Sequence, residues 1–414
     1  MRIPAPHYAW IVAGTCTLVV LSAVGLARFA FGIILPLMAA DLRLGYNEQG
    51  ILGASYFLGY LAMVALMPWV SSRLSARRLC VGGLLVIAPG LLVMALSRDY
   101  PVLSASYFAV GIGSGAAFVG AMTLPAFWFQ PSHRARGAGL VTAGAGLGIL
   151  SSGLLVPRVP AAMGLAQWQL VWLGFAIAAL AIALIAAVVL RDRPEEIGLA
   201  PFGQAKPKHA SLSRSGGHAA GKVWPILLHL GAIYALFAAT ALTYTTFIVT
   251  TMVNEFAVPK VTAGLLWAAV GGLSMVSGTL FGHISDRFGD HVGMALTMAI
   301  QSAAFGLAAV GLGAPGLYAS TVLFGISAWS MPSIMAAASG RYLGAERAAS
   351  GFAVLTLMFA GGQVLGPAGA GMLAEWTGSF AASYGVAACL ALLAVLLSLL
   401  LAPGKPRPVR HTPR

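Results

Sequence analysis

The amino-acid sequence predicts an all-α membrane protein with twelve transmembrane helices. Apolar residues make up 59% of the 414 positions and charged residues only 8%, and the mean hydropathy is +0.88. An average soluble domain carries roughly 25% charged residues, so these few charges cannot cover a water-exposed surface. The apolar residues fall in blocks of about twenty or more, the length that crosses a hydrocarbon core of about 30 Å as a helix. A transmembrane β-barrel would alternate apolar and polar residues instead.

Six apolar blocks occupy each half of the chain, and a polar segment separates the two sets. The segment 191–223 is rich in Gly, Pro, Ser and basic residues, a composition that predicts a flexible linker. The expected division is therefore 1–190 and 224–402 for the two halves, with 403–414 as a disordered tail. The predicted spans are 10–38, 48–70, 79–97, 101–129, 137–157 and 168–190, then 224–254, 262–284, 291–312, 315–339, 349–373 and 379–402.

The net charge of +13 would suit a nucleic-acid-binding protein, but the placement of the charges indicates another role. If the spans alternate in direction, 19 of the 24 basic residues fall in loops and tails on one side and four on the other. This asymmetry is the positive-inside pattern of membrane proteins. We therefore expect both termini in the cytoplasm, a plasma membrane location (the inner membrane of a bacterium), lipid as the surrounding medium and no binding to nucleic acid.

The two halves resemble each other at corresponding positions. A register of 213 or 214 residues relates five pairs, which indicates duplication of a six-span unit. Six spans return the chain to its starting side, so both copies cross the membrane in the same direction, as a parallel repeat. The matched pairs are Asp41 and Glu255, Arg73 and Arg287, Arg134 and Arg347, Gly148 and Gly361, and Gly153 and Gly366.

The loop after the eighth span carries a motif that relates the sequence to a known family. Gly282, Asp286, Arg287 and Gly289 resemble the loop signature of the major facilitator superfamily: glycine, three residues, aspartate, arginine, any residue, glycine. The resemblance implies a secondary transporter made of two six-helix bundles in a 6+6 parallel repeat. It also implies that the signature loops close the cytoplasmic side in the outward-facing state.

The same resemblance assigns a gating role to Asp286, Arg287 and, in the first copy of the loop, Arg73. The first copy departs from the pattern because Ser72 stands where the acid belongs, so we expect the two loops to be unequal. The alternative for the second loop is simple turn chemistry at a membrane surface. The segment 27–38 is similar, more weakly, to first spans of monocarboxylate-type carriers and of uncharacterised bacterial branches.

One charged residue lies deep in a predicted span. None of the eleven acidic residues is deep, and among the basic residues only Arg28 is. It precedes Met38 by ten residues, hence about 15 Å by helical rise. An arginine at this depth costs at least ~2.5–3.5 kcal/mol, which an anionic substrate held by the guanidinium fork would explain. The alternative is a structural arginine bonded to backbone carbonyls of a neighbouring broken helix.

Polar residues on other spans are candidates for the rest of the site. Thr240 and Tyr244 belong to a polar stripe at helical spacing on the seventh span, the repeat partner of the first. Leu242 corresponds to Arg28, so the positive charge is not duplicated and one carboxylate is favoured. A helix-packing role is the alternative for each of the remaining candidates, which are Tyr56 and Tyr60 on the second span and Gln363 on the eleventh.

The function that these features predict is transport of a small organic anion, most plausibly a monocarboxylate, by rocker-switch alternating access. A coupled proton or counter-anion is a further expected partner, and we expect a monomer without a cofactor. The alternatives are an exporter of lipophilic compounds, which would favour an acid in the cavity, and a transporter-like sensor. No catalytic constellation lies at depth, and Cys16, Cys80 and Cys389 lack metal-ligand spacing. We therefore expect neither an enzyme nor a metal site.

Overall fold

The computed structural model describes residues 7–130, 133–203, 223–343 and 347–401, and within these ranges it contains twelve helices long and apolar enough to span a membrane. The twelve predicted spans are confirmed, and most ends agree within a few residues. The helices are α1 Tyr8–Leu42, α2 Tyr46–Ser71, α3 Ala76–Leu96, α4 Tyr100–Trp128, α5 Arg134–Leu155, α6 Gln167–Val189, α7 Trp224–Glu255, α8 Lys260–Phe288, α9 Asp290–Val310, α10 Gly313–Leu343, α11 Ala348–Thr377 and α12 Ala381–Leu400.

The outer surface of the bundle is apolar, as a lipid-facing surface requires. On α6, for example, Ile177, Leu184 and Val188 follow one another at helical spacing and are largely exposed. Because the number of helices is even, the start of α1 and the end of α12 lie on the same side of the membrane. We call that side the terminal face and the opposite side the far face.

Two helices contain π segments that the sequence did not predict. In α1, the segment Leu21–Phe29 is a π-helix, in which the Ala30 amide donates to the Gly25 carbonyl at 3.0 Å. In α7, a shorter π segment, Thr251–Glu255, forms the last turn. A π segment inserts an extra residue into the helical turn and often marks a functional site. The longer of the two contains Arg28.

The halves meet along three helix pairs, α1 with α7, α2 with α11 and α5 with α8. Glycines allow the backbones to touch at all three crossings. A Cβ at Gly50 would lie 2.7 Å from the Pro367 carbonyl oxygen, and one at Gly153 would lie 2.5 Å from that of Gly264. Close approach of small residues is the usual way for membrane helices to associate, and it places α1, α2, α7 and α11 around the middle of the molecule.

The predicted flexible linker is ordered over its first part, which corrects the prediction for 191–203. The Phe202 amide donates to the Trp128 carbonyl, and the Phe202 carbonyl accepts from the Gln130 amide, both at 2.9 Å. The Phe202 ring also packs edge-on against Trp10 at 5.6 Å between centroids. The prediction relied on the overall polar composition of 191–223, which does not reveal that the single aromatic residue Phe202 packs against the bundle. The remainder of the predicted linker, 204–222, and the predicted tail lie outside the described residues.

Candidate functional site

Arg28 lies in the middle of the molecule, surrounded by aromatic rings. The residue is 9% exposed. Its guanidinium carbon is 4.8 Å from the ring centroid of Phe29, 4.9 Å from that of Phe57 and 5.8 Å from that of Tyr60. Faces of aromatic rings attract a cation through their quadrupole. The rings therefore hold the guanidinium in place without neutralising its charge.

The π segment that carries Arg28 is held by hydroxyl groups from two neighbouring helices. The Tyr56 hydroxyl donates to the Ala23 carbonyl at 3.1 Å, and the Ser114 hydroxyl donates to the same oxygen at 2.7 Å. The Tyr107 hydroxyl donates to the Ala27 carbonyl at 3.0 Å. Tyr56 was a candidate for substrate binding, but the structure gives it the alternative role, because its hydroxyl is used by the backbone that positions Arg28.

The guanidinium itself has no polar partner in the part of the chain that the structure describes. Its Nε and Nη2 atoms are buried without a hydrogen bond. The bonds to carbonyls of a broken neighbouring helix, which a purely structural arginine would need, are not found among the described residues. A buried charge without a partner is unfavourable, and these two nitrogens are free to donate hydrogen bonds.

A cavity of about 10 Å³, roughly the space of one water molecule, lies beside Arg28 at the junction of the two halves. It is bounded by four helices, three from the first half and α7 from the second. A molecule held there would therefore touch both halves, as alternating access requires. Its lining residues are Arg28, Phe29, Phe31 and Gly32 of α1, Gly53 and Phe57 of α2, Tyr107 of α4, and Leu242, Thr245 and Thr246 of α7.

The predicted polar stripe of α7 turns away from this cavity, which corrects the expectation for two residues. The Tyr244 hydroxyl lies 2.7 Å from Ser320 Oγ, and its ring packs on Phe324 at 4.5 Å inside the second half. Thr240 donates to the Leu236 carbonyl at 2.9 Å and lines a separate crevice between α7, α11 and α12. Helical spacing identifies residues that share a face, but it does not say toward which neighbour the face turns.

The remaining candidates are Tyr60 of the second span and Gln363 of the eleventh. The Tyr60 ring faces the guanidinium. Gln363 is fully buried, with both polar atoms of its amide unpartnered among the described residues. Tyr234 of α7 was not predicted; it stacks on Phe359 at 4.4 Å and lies in the neighbourhood of Arg28. The only available signal was an aromatic residue in a membrane span, which is too common to single out a site.

The predicted gating residues do not form a clamp in this structure. Asp286 accepts from Arg341 Nη1 at 2.8 Å within the second half, while Arg73 covers the ring of Trp69 and Arg287 that of Phe288. All of these contacts are local to one half. The resemblance implied closure by these loops in the outward-facing state, so the gating role stays a prediction about another state.

Comparison with known proteins agrees with this architecture. The family model described as "Uncharacterised MFS-type transporter YbfB" matches residues 20–399. A putative tartrate transporter of Agrobacterium vitis is 27% identical over 93% of this chain and 88% of its own length. A quinolone resistance transporter of Acinetobacter baumannii is 22% identical over 86% and 85%.

Two solved structures share the fold at low identity. A bacterial homologue of the human lysosomal transporter Spinster, inward-facing and unoccupied, has a TM-score of 0.74 with 15% identity, covering 96% of this chain and 97% of that one. A D-xylose–proton symporter has a TM-score of 0.74 with 18% identity, covering 96% and 99%. With the family match over most of its length, the chain is a multi-pass membrane transporter, not an enzyme, and belongs to the major facilitator superfamily.

Proposed function

We propose that this transporter carries a small organic anion across the membrane by alternating access, with Arg28 as the residue that binds the carboxylate. The observation that carries the proposal is the buried guanidinium without a partner at the junction of the two halves. The cavity is lined by α1 and α2 of the first half and by α7 of the second. Relative movement of the halves would therefore expose the bound anion to one side of the membrane and then to the other.

The contrast with the other buried charge supports this role for Arg28. Among the described residues, only Arg28 and Asp290 are charged and less than one tenth exposed. Asp290 is paired with Arg341 at 2.5 Å and accepts from the Ser285 hydroxyl. The chain therefore satisfies a buried charge where it is structural. Arg28, by contrast, is free to bind a substrate that is later released.

The names of three relatives support an anionic substrate. Two relatives, each 27% identical, are called putative tartrate transporters, and a third, 21% identical over 41% of this chain, is called a probable sulfoacetate transporter. These names describe organic anions. Leu242 replaces the second arginine that a symmetric site would hold and lines the same cavity, so the cavity charge matches one carboxylate. A second acidic group would need a partner elsewhere.

Uptake into proteoliposomes tests the proposal. The panel should contain labelled monocarboxylates, dicarboxylates and the amides of the same acids, with and without a pH gradient. Arg28→Ala should reduce uptake of the acids by on the order of a hundredfold, because a charge-assisted contact is lost. Arg28→Lys should recover only part, because the ammonium lacks the fork.

A matched control is Arg158→Ala, which removes an exposed arginine bonded only to its own helix and should leave uptake unchanged. If Arg28→Ala transports the acids at the wild-type rate, the proposal is wrong. Preferential uptake of lipophilic compounds over the acids would instead support the exporter alternative.

The terminal face is the side that we place in the cytoplasm, on the strength of the basic residues in its loops. Tags on both termini and within 204–222 should then be protected from protease in sealed right-side-out vesicles of the plasma membrane. Cleavage of the tag in 204–222 from outside would contradict this orientation.

A further inference from the structure

Gln363 is a buried amide that nothing in the described structure satisfies. It is fully buried in α11, and neither its Oε1 nor its Nε2 has a hydrogen-bond partner among the described residues. An amide offers two donors and an acceptor with two lone pairs, and leaving such groups unpaired away from water costs free energy. An apolar side chain of the same size at this position of α11 would avoid the free-energy cost of an unpaired amide, yet the helix has a glutamine.

The other buried glutamines in the described ranges behave differently. Gln169 donates to the Ala95 carbonyl at 2.9 Å and also accepts from a backbone amide. Gln49 donates to the Leu44 carbonyl at 3.0 Å, and Gln301 donates to the Ser327 carbonyl at 3.3 Å. Each of these three has a structural partner for its Nε2, although Oε1 of Gln49 and of Gln301 is also unpartnered among the described residues. Gln363 is the buried glutamine whose whole amide is free.

The neighbours of Gln363 along its helix face contact residues around the Arg28 cavity. Residues four positions apart lie on one face of a helix. Four residues before it, Phe359 stacks on Tyr234, which lies in the neighbourhood of Arg28. Four residues after it, Pro367 approaches Gly53, where a Cβ would lie 4.0 Å from the proline Cβ. Gly53 lines the Arg28 cavity, so residues near the cavity flank Gln363 on both sides.

We infer that Gln363 binds a hydroxyl group of the substrate, so the transported anion is a hydroxycarboxylate. This inference rests on the proposed function, because Arg28 must hold the carboxylate. A second oxygen of a simple acid could accept from Nε2 but would leave Oε1 unpaired. A hydroxyl group satisfies both atoms, since its oxygen accepts from Nε2 and its hydrogen is donated to Oε1.

Pairs of acids that differ only in hydroxyl groups test the inference. Binding of lactate and propionate, and of tartrate and succinate, is measured by competition against uptake of the best labelled acid. Wild type should bind the hydroxylated member of at least one pair roughly ten- to a hundredfold more tightly, because a site built to hydrogen-bond a hydroxyl rejects the analogue that lacks it. Gln363→Met should bring that ratio close to one, mainly by weakening the hydroxy acid. Gln363→Asn keeps a polar side chain and should lower the same ratio, so it serves as a second variant if Gln363→Met folds poorly.

The matched control is Gln301→Met, which removes a buried glutamine with a structural partner and should leave the ratio unchanged. Equal binding of both members in each pair by wild type would overturn the inference, and so would a ratio that survives Gln363→Met. If the ratio is near one but binding still depends on Arg28, only the hydroxyl inference fails. If neither acid depends on Arg28, the proposed function fails with it.

Discussion

The two faces of the molecule differ in how the halves meet. At the far face, the start of α2 is joined to the end of α11. The Asn47 amide donates to the Glu375 carboxylate at 3.1 Å, the Tyr46 hydroxyl donates to the Gly378 carbonyl at 3.3 Å, and the Tyr46 ring packs edge-on against Phe380. These contacts connect one half to the other.

At the terminal face, two groups of polar contacts among the described residues each lie within one half. The Arg77 amide donates to Asp192 at 2.8 Å in the first half, and Arg341 bonds Asp286 and Asp290 in the second. The opening segment of α1, Tyr8–Val20, packs on helices of its own half, whereas the closing segment, which begins at Phe31, packs on α7.

The difference indicates that the described residues join the two halves at the far face of this structure. It also shows that two kinds of contact close the far face. One is steric, the backbone crossing of α2 and α11, and the other is polar, the capping of α2 by Glu375. The motif residues of the loops have no part in that closure, so substitutions at the two faces should affect different states.

The largest effect is expected from a side chain inserted into the α2–α11 crossing. In Gly371→Leu, the Cβ alone would lie 2.6 Å from the Tyr46 carbonyl oxygen and 2.9 Å from the Gly50 Cα, and backbone atoms cannot move aside. Overpacking costs about 1–3 kcal/mol, so the far-closed state should lose roughly tenfold or more in population. Labelling of Thr246→Cys in the Arg28 cavity by an impermeant thiol reagent from the far side measures this, in a Cys389→Ser background.

The control for this variant lies on the same helix. A Cβ at Gly369 would meet nothing within 4 Å, so Gly369→Leu should leave the labelling rate unchanged. Equal labelling of the two leucine variants would show that the α2–α11 crossing does not close the far face.

A smaller effect is expected from removing the polar cap. Glu375→Ala deletes the acceptor for the first turn of α2, and the loss of an N-terminal cap typically amounts to ~1 kcal/mol. The far-closed population should therefore fall by about fivefold in the same labelling assay. Glu48→Ala is the matched variant, because Glu48 accepts from the Gly45 amide at 2.9 Å within the first half. It should lower stability without changing far-side access. Identical labelling of both variants would show that the capping of α2 by Glu375 does not close the far face.

The smallest effect is expected at the terminal face. Asp286→Asn weakens an ion pair whose acid is 61% exposed, and exposed pairs contribute roughly 0–1 kcal/mol. If the loops close the terminal face in the outward-facing state, the variant should shift the equilibrium modestly toward the state described here. Ser72→Ala should have no effect, because the Ser72 hydroxyl donates to the Trp69 carbonyl of its own helix. Distances between spin labels on the two loops would report the shift, and a response to Ser72→Ala equal to that of Asp286→Asn would remove the predicted difference between the loops.

The sequence predicted the number of helices and Arg28 for a shared physical reason. A charge is costly in a bilayer, so membrane spans are recognisable as long blocks without charged residues. For the same reason Arg28, a charged residue deep inside such a block, is conspicuous. The orientation of the helices about their axes could not be predicted in the same way. In a soluble helix the polar face points to water, but a polar stripe on a membrane helix can turn toward the cavity or toward another helix. The sequence therefore placed Tyr244 on a stripe of α7 and could not place it against Ser320.

The backbone of α1 was equally hidden from the sequence. The π segment depends on hydroxyl groups of Tyr56, Ser114 and Tyr107, which come from other helices. Nothing local to Leu21–Phe29 requires it. Gln363 was recognised as polar, but only the three-dimensional packing shows that it lacks a partner while other buried glutamines have one.

Thermal unfolding of Arg28→Met tests the central claim most directly, because binding and structural roles predict opposite results. If Arg28 waits for an anion, a methionine of similar volume removes an unpaired buried charge, and the variant without ligand should unfold at the same or a higher temperature than wild type. A bound acid at a hundred times its dissociation constant should stabilise wild type by about 2.7 kcal/mol and leave the variant unchanged. A variant that unfolds at a clearly lower temperature, and that the acid stabilises as much as wild type, would show that Arg28 is structural.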